Sequence, residues 1–241
     1  KDGHILIGGT SSRSVGFAHE LQLEGTATTP HSISNISNRA DAHASHIDFA
    51  KTRGASLGSI NIVQDDDFLG HVIFRGSDGS NLNRQSARIS GAVDGTPSSG
   101  NVPGRLEFYT EPSGGGSTTE RARITSGGVF KMPDNGKIEL GGSQSGTGDF
   151  QLYHSGSNGF FTSSTGFFRI ANTTGGLFLD GSGVTIRSEA GDENYAIFNN
   201  DGSVELYHNN AKKFETTAYG IDVTGTTGTD GLAVSGISTF S

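Results

Sequence analysis

The stretch NYAIFNNDGSVELYH, residues 194–208, contains two short apolar runs on either side of the dipeptide Asp201-Gly202. Val204 and Leu206 alternate with polar residues, which is the pattern of a strand with one apolar face. Asp-Gly tolerates positive φ and suits two-residue turns whose twist matches the flanking strands. The segment therefore predicts a β-hairpin with Ile197-Phe198 in its first strand.

The same alternation recurs along most of the chain, between turns that are rich in Asp-Gly and Asn-Gly. Each run is about 4–7 residues long, which is a normal strand length. Glu107 and Tyr109 lie on the face opposite to Leu106 and Phe108, as expected for a strand. The sequence thus predicts an all-β fold of short strands. The alternating pairs are Ile60/Ile62, Leu106/Phe108, Ile138/Leu140, Phe150/Leu152, Phe168/Ile170, Leu177/Leu179, Val184/Ile186, Val204/Leu206 and Ile221/Val223.

Residues 39–53 are compatible with either a helix or a strand. Four of their apolar residues recur at roughly helical spacing. Within the same stretch Ile47 and Phe49 alternate as in a strand, and Gly54 follows at once. We favour the strand, and the helix is the alternative.

The composition indicates a chain with few large apolar side chains. Gly accounts for 38 of the 241 residues, and hydrophobic residues make up 32%. An isolated chain would therefore build a thin core, and its glycines lose the most conformational freedom on folding. Sharing a core between chains is one way to close this gap, so the composition favours an oligomer.

Charge and residue content argue against several classes of function. A net charge of −8 without basic clusters is unsuited to binding nucleic acid. No apolar run is long enough for a transmembrane helix, no signal peptide is recognised, and cysteine is absent. We expect no nucleic-acid partner and no membrane insertion. Because the sequence starts at Lys1, it is compatible with a piece of a longer chain.

Motifs for catalysis or metal binding find little support. No nucleophile elbow or phosphate-binding loop is present, so we expect no enzymatic activity and no cofactor. His43 and His46, with Asp41 and Asp48, are possible metal ligands, but positions three apart on a strand face opposite sides. Residues 65–67 (DDD) are possible Ca²⁺ ligands, and a charged turn or edge-strand guard is the favoured interpretation. The sequence therefore predicts no metal site.

The second half of the chain shows internal similarity. Residues 152–154 (LYH) recur as residues 206–208, and residues 220–225 are echoed by residues 231–236. Neither period is sustained, which predicts stacked, loosely related strand-turn units. We place N-terminal strands or a stem at residues 1–29, a compact β-rich module at residues 30–131 and a Gly-rich repetitive stalk at residues 132–241.

The repeated residues Tyr153, His154, Tyr207 and His208 are the candidate binding residues, because their rings could stack on sugars. The favoured alternative is cross-strand packing between adjacent units. The aromatic residues at 160–161 and 167–168 occupy both faces of a predicted strand, which indicates burial at an interchain contact.

An ordered set of segments resembles a module of tailed-phage fibre proteins. Residues 94–97 (DGTP), 103–110 (PGRLEFYT) and 118–124 (TTERARI) correspond to family motifs that read roughly DGTPG, PGRLxFxTTP and PTERMRI. Residues 149–154 (DFQLYH) and 205–210 (ELYHNN) resemble fibre proteins of marine cyanobacterial phages.

The resemblance implies an elongated, homotrimeric virion fibre used in host attachment, with three parallel chains around one axis. It implies contacts with other virion proteins and a place on the surface of the virion. A host cell-surface glycan is a further candidate partner. The first alternative is a lectin-like, carbohydrate-binding receptor-recognition module, and the second is a polysaccharide-degrading tailspike. Fibres of this kind often end in a self-cleaving chaperone, for which this sequence has no recognisable counterpart.

Overall fold

The computed structural model describes residues 5–8, 13–26, 32–143, 146–226 and 228. Within these residues the chain forms fifteen β-strands in four sheets and no helix, so the fold is all-β as predicted. None of the described residues forms a helix that is long and apolar enough to cross a membrane. The chain divides into two compact units, residues 1–168 and residues 169–241.

The largest sheet of the first unit is a five-stranded antiparallel meander, in which each strand pairs with the next one along the chain. The loop at residues 113–117 lies between β5 (Gly104–Thr110) and β6 (Thr119–Ile124), and its three glycines all have positive φ. β3 (Phe68–Gly76) and β7 (Phe130–Lys131) are the edges of this sheet. Its strands are β3 (Phe68–Gly76), β4 (Arg84–Val93), β5 (Gly104–Thr110), β6 (Thr119–Ile124) and β7 (Phe130–Lys131).

Two smaller sheets complete the first unit. One is a parallel pair of short strands, and the other is an antiparallel sheet with β9 (Phe150–His154) in its centre. The pair consists of β1 (Ile5–Ile7) and β2 (Leu21–Leu23), and the other sheet of β8 (Lys137–Leu140), β9 (Phe150–His154) and β10 (Gly159–Ser163).

The second unit contains one five-stranded antiparallel meander. The predicted hairpin is confirmed, since Ile197 and Phe198 of one strand pair with Glu205 and Val204 of the next, and Asp201 in the turn has φ 50°. The strands are β11 (Gly183–Arg187), β12 (Asn194–Asn199), β13 (Val204–His208), β14 (Ala211–Thr217) and β15 (Gly220–Val223).

Most of the predicted alternating pairs lie in strands. Their short connections favour pairing of neighbours, because little loop entropy opposes it. The confirmed pairs are Leu106/Phe108, Ile138/Leu140, Phe150/Leu152, Val184/Ile186, Val204/Leu206 and Ile221/Val223.

Other predicted strand segments are wrong. A strand needs a neighbour that accepts its backbone hydrogen bonds, and alternation in the sequence does not supply one. These segments are extended or irregular, and their large apolar side chains are more than half exposed. Neither strand nor helix is found at residues 39–53, Ile60/Ile62, Phe167-Phe168, Phe168/Ile170 or Leu177/Leu179. The echo predicted at residues 231–236 lies outside the described residues.

The buried core of the described residues is small. Its hydrophobic members are Val63, Ala92, Val93, Ala122 and Ala196, four of which are in strands. The boundary predicted at residue 132 follows β7, the last strand of the first large sheet, whereas the compact units divide after residue 168. The three predicted domains stay a prediction.

Candidate functional site: the two faces of the first large sheet

One face of the sheet β3–β7 is apolar. Register pairs Val72 with Ile89 and Ile89 with Phe108, so these three side chains share a face. The neighbouring rows add more apolar residues on the same side. Below, "the apolar face" means Val72, Phe74, Ile89, Leu106, Phe108, Ile124 and Phe130.

The apolar face is largely open to solvent. Val72 is 46% exposed, Phe74 54% and Phe130 56%. Contiguous exposed apolar surface on a soluble protein marks a site of interaction. This face is therefore the first candidate for a functional surface.

The opposite face is polar and buried. His71, Ser90, Glu107 and Arg123 lie in one row across four strands. We call this side of the sheet the polar face. Glu107 is only 1% exposed, although the sequence pattern had placed it simply opposite to the apolar side chains. Charged residues of this sheet are thus as buried as Val93 and Ala122 on the apolar side, which alternation alone does not reveal.

Glu107 remains buried because its carboxylate has several partners. The Nε of Arg105 lies 2.6 Å from one carboxylate oxygen, and the Tyr109 hydroxyl donates to the other at 2.8 Å. Arg123 lies 3.8 Å away and forms a two-pronged ion pair with Glu120. That ion pair lowers the pKa of Glu120 and raises that of Arg123. Buried charge is tolerated when it is paired in this way.

Arg105 extends the network toward the start of the sheet. Its guanidinium lies 2.8 Å from Asp66 and donates to the carbonyl of Val93 at 2.5 Å. Burial lowers the pKa of Arg105, but the bonds to Glu107 and Asp66 outweigh it and the net shift is upward. Arg105 therefore stays charged and joins strand β5 to the turn before β3.

Aromatic rings and a second arginine continue the polar face. The guanidinium carbon of Arg88 lies 4.0 Å from the centre of the Tyr109 ring and 5.1 Å from that of Phe68. The Nε of Arg88 is buried without an acceptor among the described residues. Burial, followed by the bond to Glu107, raises the pKa of Tyr109. His71 hydrogen-bonds Ser90 at 3.0 Å, and burial lowers its pKa.

A segment that the sequence predicted as a strand is held to the sheet by side chains. Residues 46–53, "the strap", reach Asp67 through Lys51 at 2.8 Å and Arg53 at 2.7 Å. Asp67 is buried, and the backbone N–H of Gln64 donates to it at 2.9 Å. The bonds to Arg53, Lys51 and Gln64 hold the pKa of Asp67 well below its usual range.

The three acidic residues at 65–67 have separate partners. Asp65 accepts a hydrogen bond from the N–H of Gly95 at 2.6 Å, Asp66 pairs with Arg105, and Asp67 holds the strap. The carboxylates thus anchor three different segments at the start of edge strand β3.

Asp41 is likewise engaged by neighbours in its own segment. Arg39 lies 2.7 Å from its carboxylate, and the backbone N–H of His43 donates to it at 3.1 Å. The carbonyl of His46 accepts from the side chain of Asn35 at 2.9 Å. Within the described ranges, no three His, Asp or Glu side chains are grouped as metal ligands would be.

Tyr153 and His154, two of the candidate binding residues, lie on β9. The Tyr153 ring stacks on its cross-strand neighbour Phe160, with ring centres 4.9 Å apart, and the Lys137 amine lies 5.0 Å from the ring. The exposed His154 lies 2.9 Å from Asp134. A role in binding stays a prediction for both residues.

Tyr207 and His208 lie on β13, in the other compact unit. The Tyr207 hydroxyl donates to Glu205, which also lies 3.6 Å from Lys212. The bond to Glu205 raises the pKa of Tyr207. His208 is exposed and pairs across the strands with Ala211. For these residues, too, the predicted binding role is untested.

Comparison with known proteins places the chain in no family. No family model matches it, and neither does any curated protein. Among solved structures it is similar to the carboxy-terminal domain of the bacteriophage T5 L-shaped tail fibre, with a TM-score of 0.40 and 15% sequence identity. The match covers 66% of this chain and about half, 51%, of the other. The class that the fold itself defines is an all-β protein whose three larger sheets are open and antiparallel.

Proposed function

We propose that this chain is a non-enzymatic structural segment of a virion fibre, which assembles as a homotrimer through the apolar face. One observation carries the proposal. The first large sheet buries its charged side within one chain and leaves most of the large side chains of its apolar face more than a third exposed. A sheet of this kind needs a partner surface that is equally apolar, and an identical copy provides one.

The energetics favour assembly. Burying a large aliphatic or aromatic side chain stabilises by roughly 1.5–3 kcal/mol relative to leaving it exposed. Val72, Phe74, Leu106, Ile124 and Phe130 are each more than a third exposed in the single chain. Covering these five side chains in every copy would add substantially to the stability that the small private core provides.

The edges of the sheets support the same proposal. β3 has nine residues and pairs only with β4, and β11 and β15 are edges in the second unit. Long unpaired edges are sites of further strand pairing unless they are covered. An assembly of parallel copies covers them, whereas an isolated chain leaves them open.

The sequence resemblance supports the fibre as the form of this assembly. Residues 103–110 and 118–124, which resemble the fibre module, contain all of β5 and β6, and residues 94–97 follow β4. These strands carry Glu107 and its arginine partners. The similar segments thus build the centre of the sheet whose apolar face we propose to be shared. Host attachment and a place on the virion belong to the same proposal.

Light scattering tests the oligomeric state. We expect the intact chain to form a species of about three times 25.0 kDa, the chain mass, that resists heating. A well-behaved monomer would contradict the proposal.

A variant on the apolar face tests the surface. Val72→Glu places a charge there, which should prevent trimer formation because an unpaired buried charge is costly. Leu57→Glu is the control, since Leu57 is fully exposed in a turn outside the sheet. If Val72→Glu leaves the trimer as stable as Leu57→Glu does, the apolar face is not the contact.

A further inference from the structure

Two glycines lie side by side on the same side of the sheet as the apolar face. Gly70 of β3 pairs with Gly91 of β4, and Leu106 of β5 follows in the same row. Because neither glycine has a side chain, the row forms a trough across the sheet. We call it the glycine trough. The cavity there measures about 370 Å³ and is lined by Phe49, Ile89 and Leu106 among others.

The chain itself fills the first half of the glycine trough. A Cβ atom at Gly70 would lie 2.3 Å from the Cβ of Phe49 and 2.6 Å from its Cγ. Real atoms do not approach so closely, so Gly70 is required by Phe49 of the strap. At Gly70, the missing side chain leaves the space in which the Phe49 ring packs on the backbone.

The second half of the trough has no such explanation within the chain. A Cβ atom at Gly91 would meet nothing within 4 Å, and Gly91 is not among the glycines with positive φ. Glycine inside a strand weakens it relative to other residues. Nothing in the single chain therefore requires glycine at position 91.

We propose that the open half of the glycine trough, at Gly91, receives an apolar side chain from a second copy of this chain. The inference rests on the proposed function, because the trough opens onto the apolar face. Phe74 and Phe130 show that this face carries exposed aromatic rings, so a facing copy supplies groups of the right chemistry. The inserted side chain would pack on Gly91 between two copies as Phe49 packs on Gly70 within one chain.

The test places a side chain in the open half of the glycine trough. Gly91→Val places a branched side chain where the single chain has room, so the isolated fold tolerates it. In the assembly the same side chain meets the inserted group, and we expect the melting temperature of the trimer to fall by roughly 5–10 °C. Gly159→Val is the control, because a Cβ at Gly159 also meets nothing within 4 Å and Gly159 also lies in a strand.

The outcomes separate the two proposals. If the wild-type protein is a monomer, the proposed trimer is wrong. β-branched residues stabilise free strand positions. If Gly91→Val leaves the trimer unchanged or makes it more stable, the proposed insertion at Gly91 is wrong and the proposed trimer is not affected. A loss confined to Gly91→Val supports insertion by a copy.

Thiol labelling provides a second measurement that does not depend on a large side chain. The chain has no cysteine, so Gly91→Cys and Gly159→Cys each carry a single thiol. We expect maleimide to label position 91 of the native trimer at least tenfold more slowly than position 159, with equal rates after unfolding. Equal rates in the native trimer overturn the inference.

Discussion

Phe49 lies directly on the backbone of Gly70, closer than any side chain at position 70 would allow. Gly70→Ala should therefore push the strap away from the sheet. Because Lys51 and Arg53 are then more accessible, we expect faster tryptic cleavage after them, measured by mass spectrometry of early fragments. Gly159→Ala, where a Cβ has open space, should leave the cleavage rate unchanged. Equal rates in both variants would show that Phe49 does not hold the strap.

The ion pairs of Asp67 with Lys51 and Arg53 of the strap predict that the stability of the protein depends on pH. The pKa of Asp67 is lowered from its ordinary 3.8 by Arg53, Lys51 and the N–H of Gln64. Its stabilisation is thus fully present above the unfolded-state pKa and is lost as pH falls through the lower folded-state pKa. Asp67→Asn should lower the melting temperature at pH 7 and flatten its decline between about pH 4 and pH 2. Parallel curves for variant and wild type would contradict this role.

The buried ion pairs of Glu107 predict a large loss of stability when the carboxylate is removed. Glu107→Gln removes the buried charged partner of Arg105 and leaves it with Asp66 and Asp94. Breaking a buried pair destabilises by roughly 3–5 kcal/mol. Denaturant unfolding measures this change. Glu189→Gln, at an exposed turn position, is the matched control and should change stability little. A Glu107→Gln protein as stable as the control would mean that the polar face is not stabilised by its charges.

The hairpin turn at Asp201 predicts different effects on stability for two substitutions. Asp201 has φ 50°, which is costly for a β-branched residue and free for glycine. We expect Asp201→Val to destabilise the protein by about 1–2 kcal/mol and Asp201→Gly to be neutral. Thermal unfolding followed by circular dichroism distinguishes them, and equal melting temperatures would argue against this turn geometry.

Local sequence patterns were sufficient for much of the fold. The Asp-Gly turn and the alternation around it predicted the hairpin of β12 and β13, because both strands and their connection are close in sequence. The same reasoning failed at Ile60 and Ile62, where alternation is present but no strand among the described residues pairs with them. A strand is a property of two segments, and sequence patterns describe one at a time.

The candidate site was less accessible to sequence reasoning. Alternation separates Leu106 and Phe108 from Glu107 and Tyr109, but it does not tell which side becomes buried. That outcome depends on Arg105 beside Glu107 on the same strand and on Arg123, which the register brings opposite. The charged pattern R-x-E-x-Y at residues 105–109 was the available signal, because alternate residues on a strand share a face.

The uncovered hydrophobic side of the first sheet also has a kinetic consequence. Under the proposed assembly, a newly made chain exposes this surface before a second copy binds, so assembly competes with aggregation from the start. Low chain concentration slows assembly, and high chain concentration increases aggregation. The yield of native protein on refolding should therefore pass through a maximum as chain concentration rises.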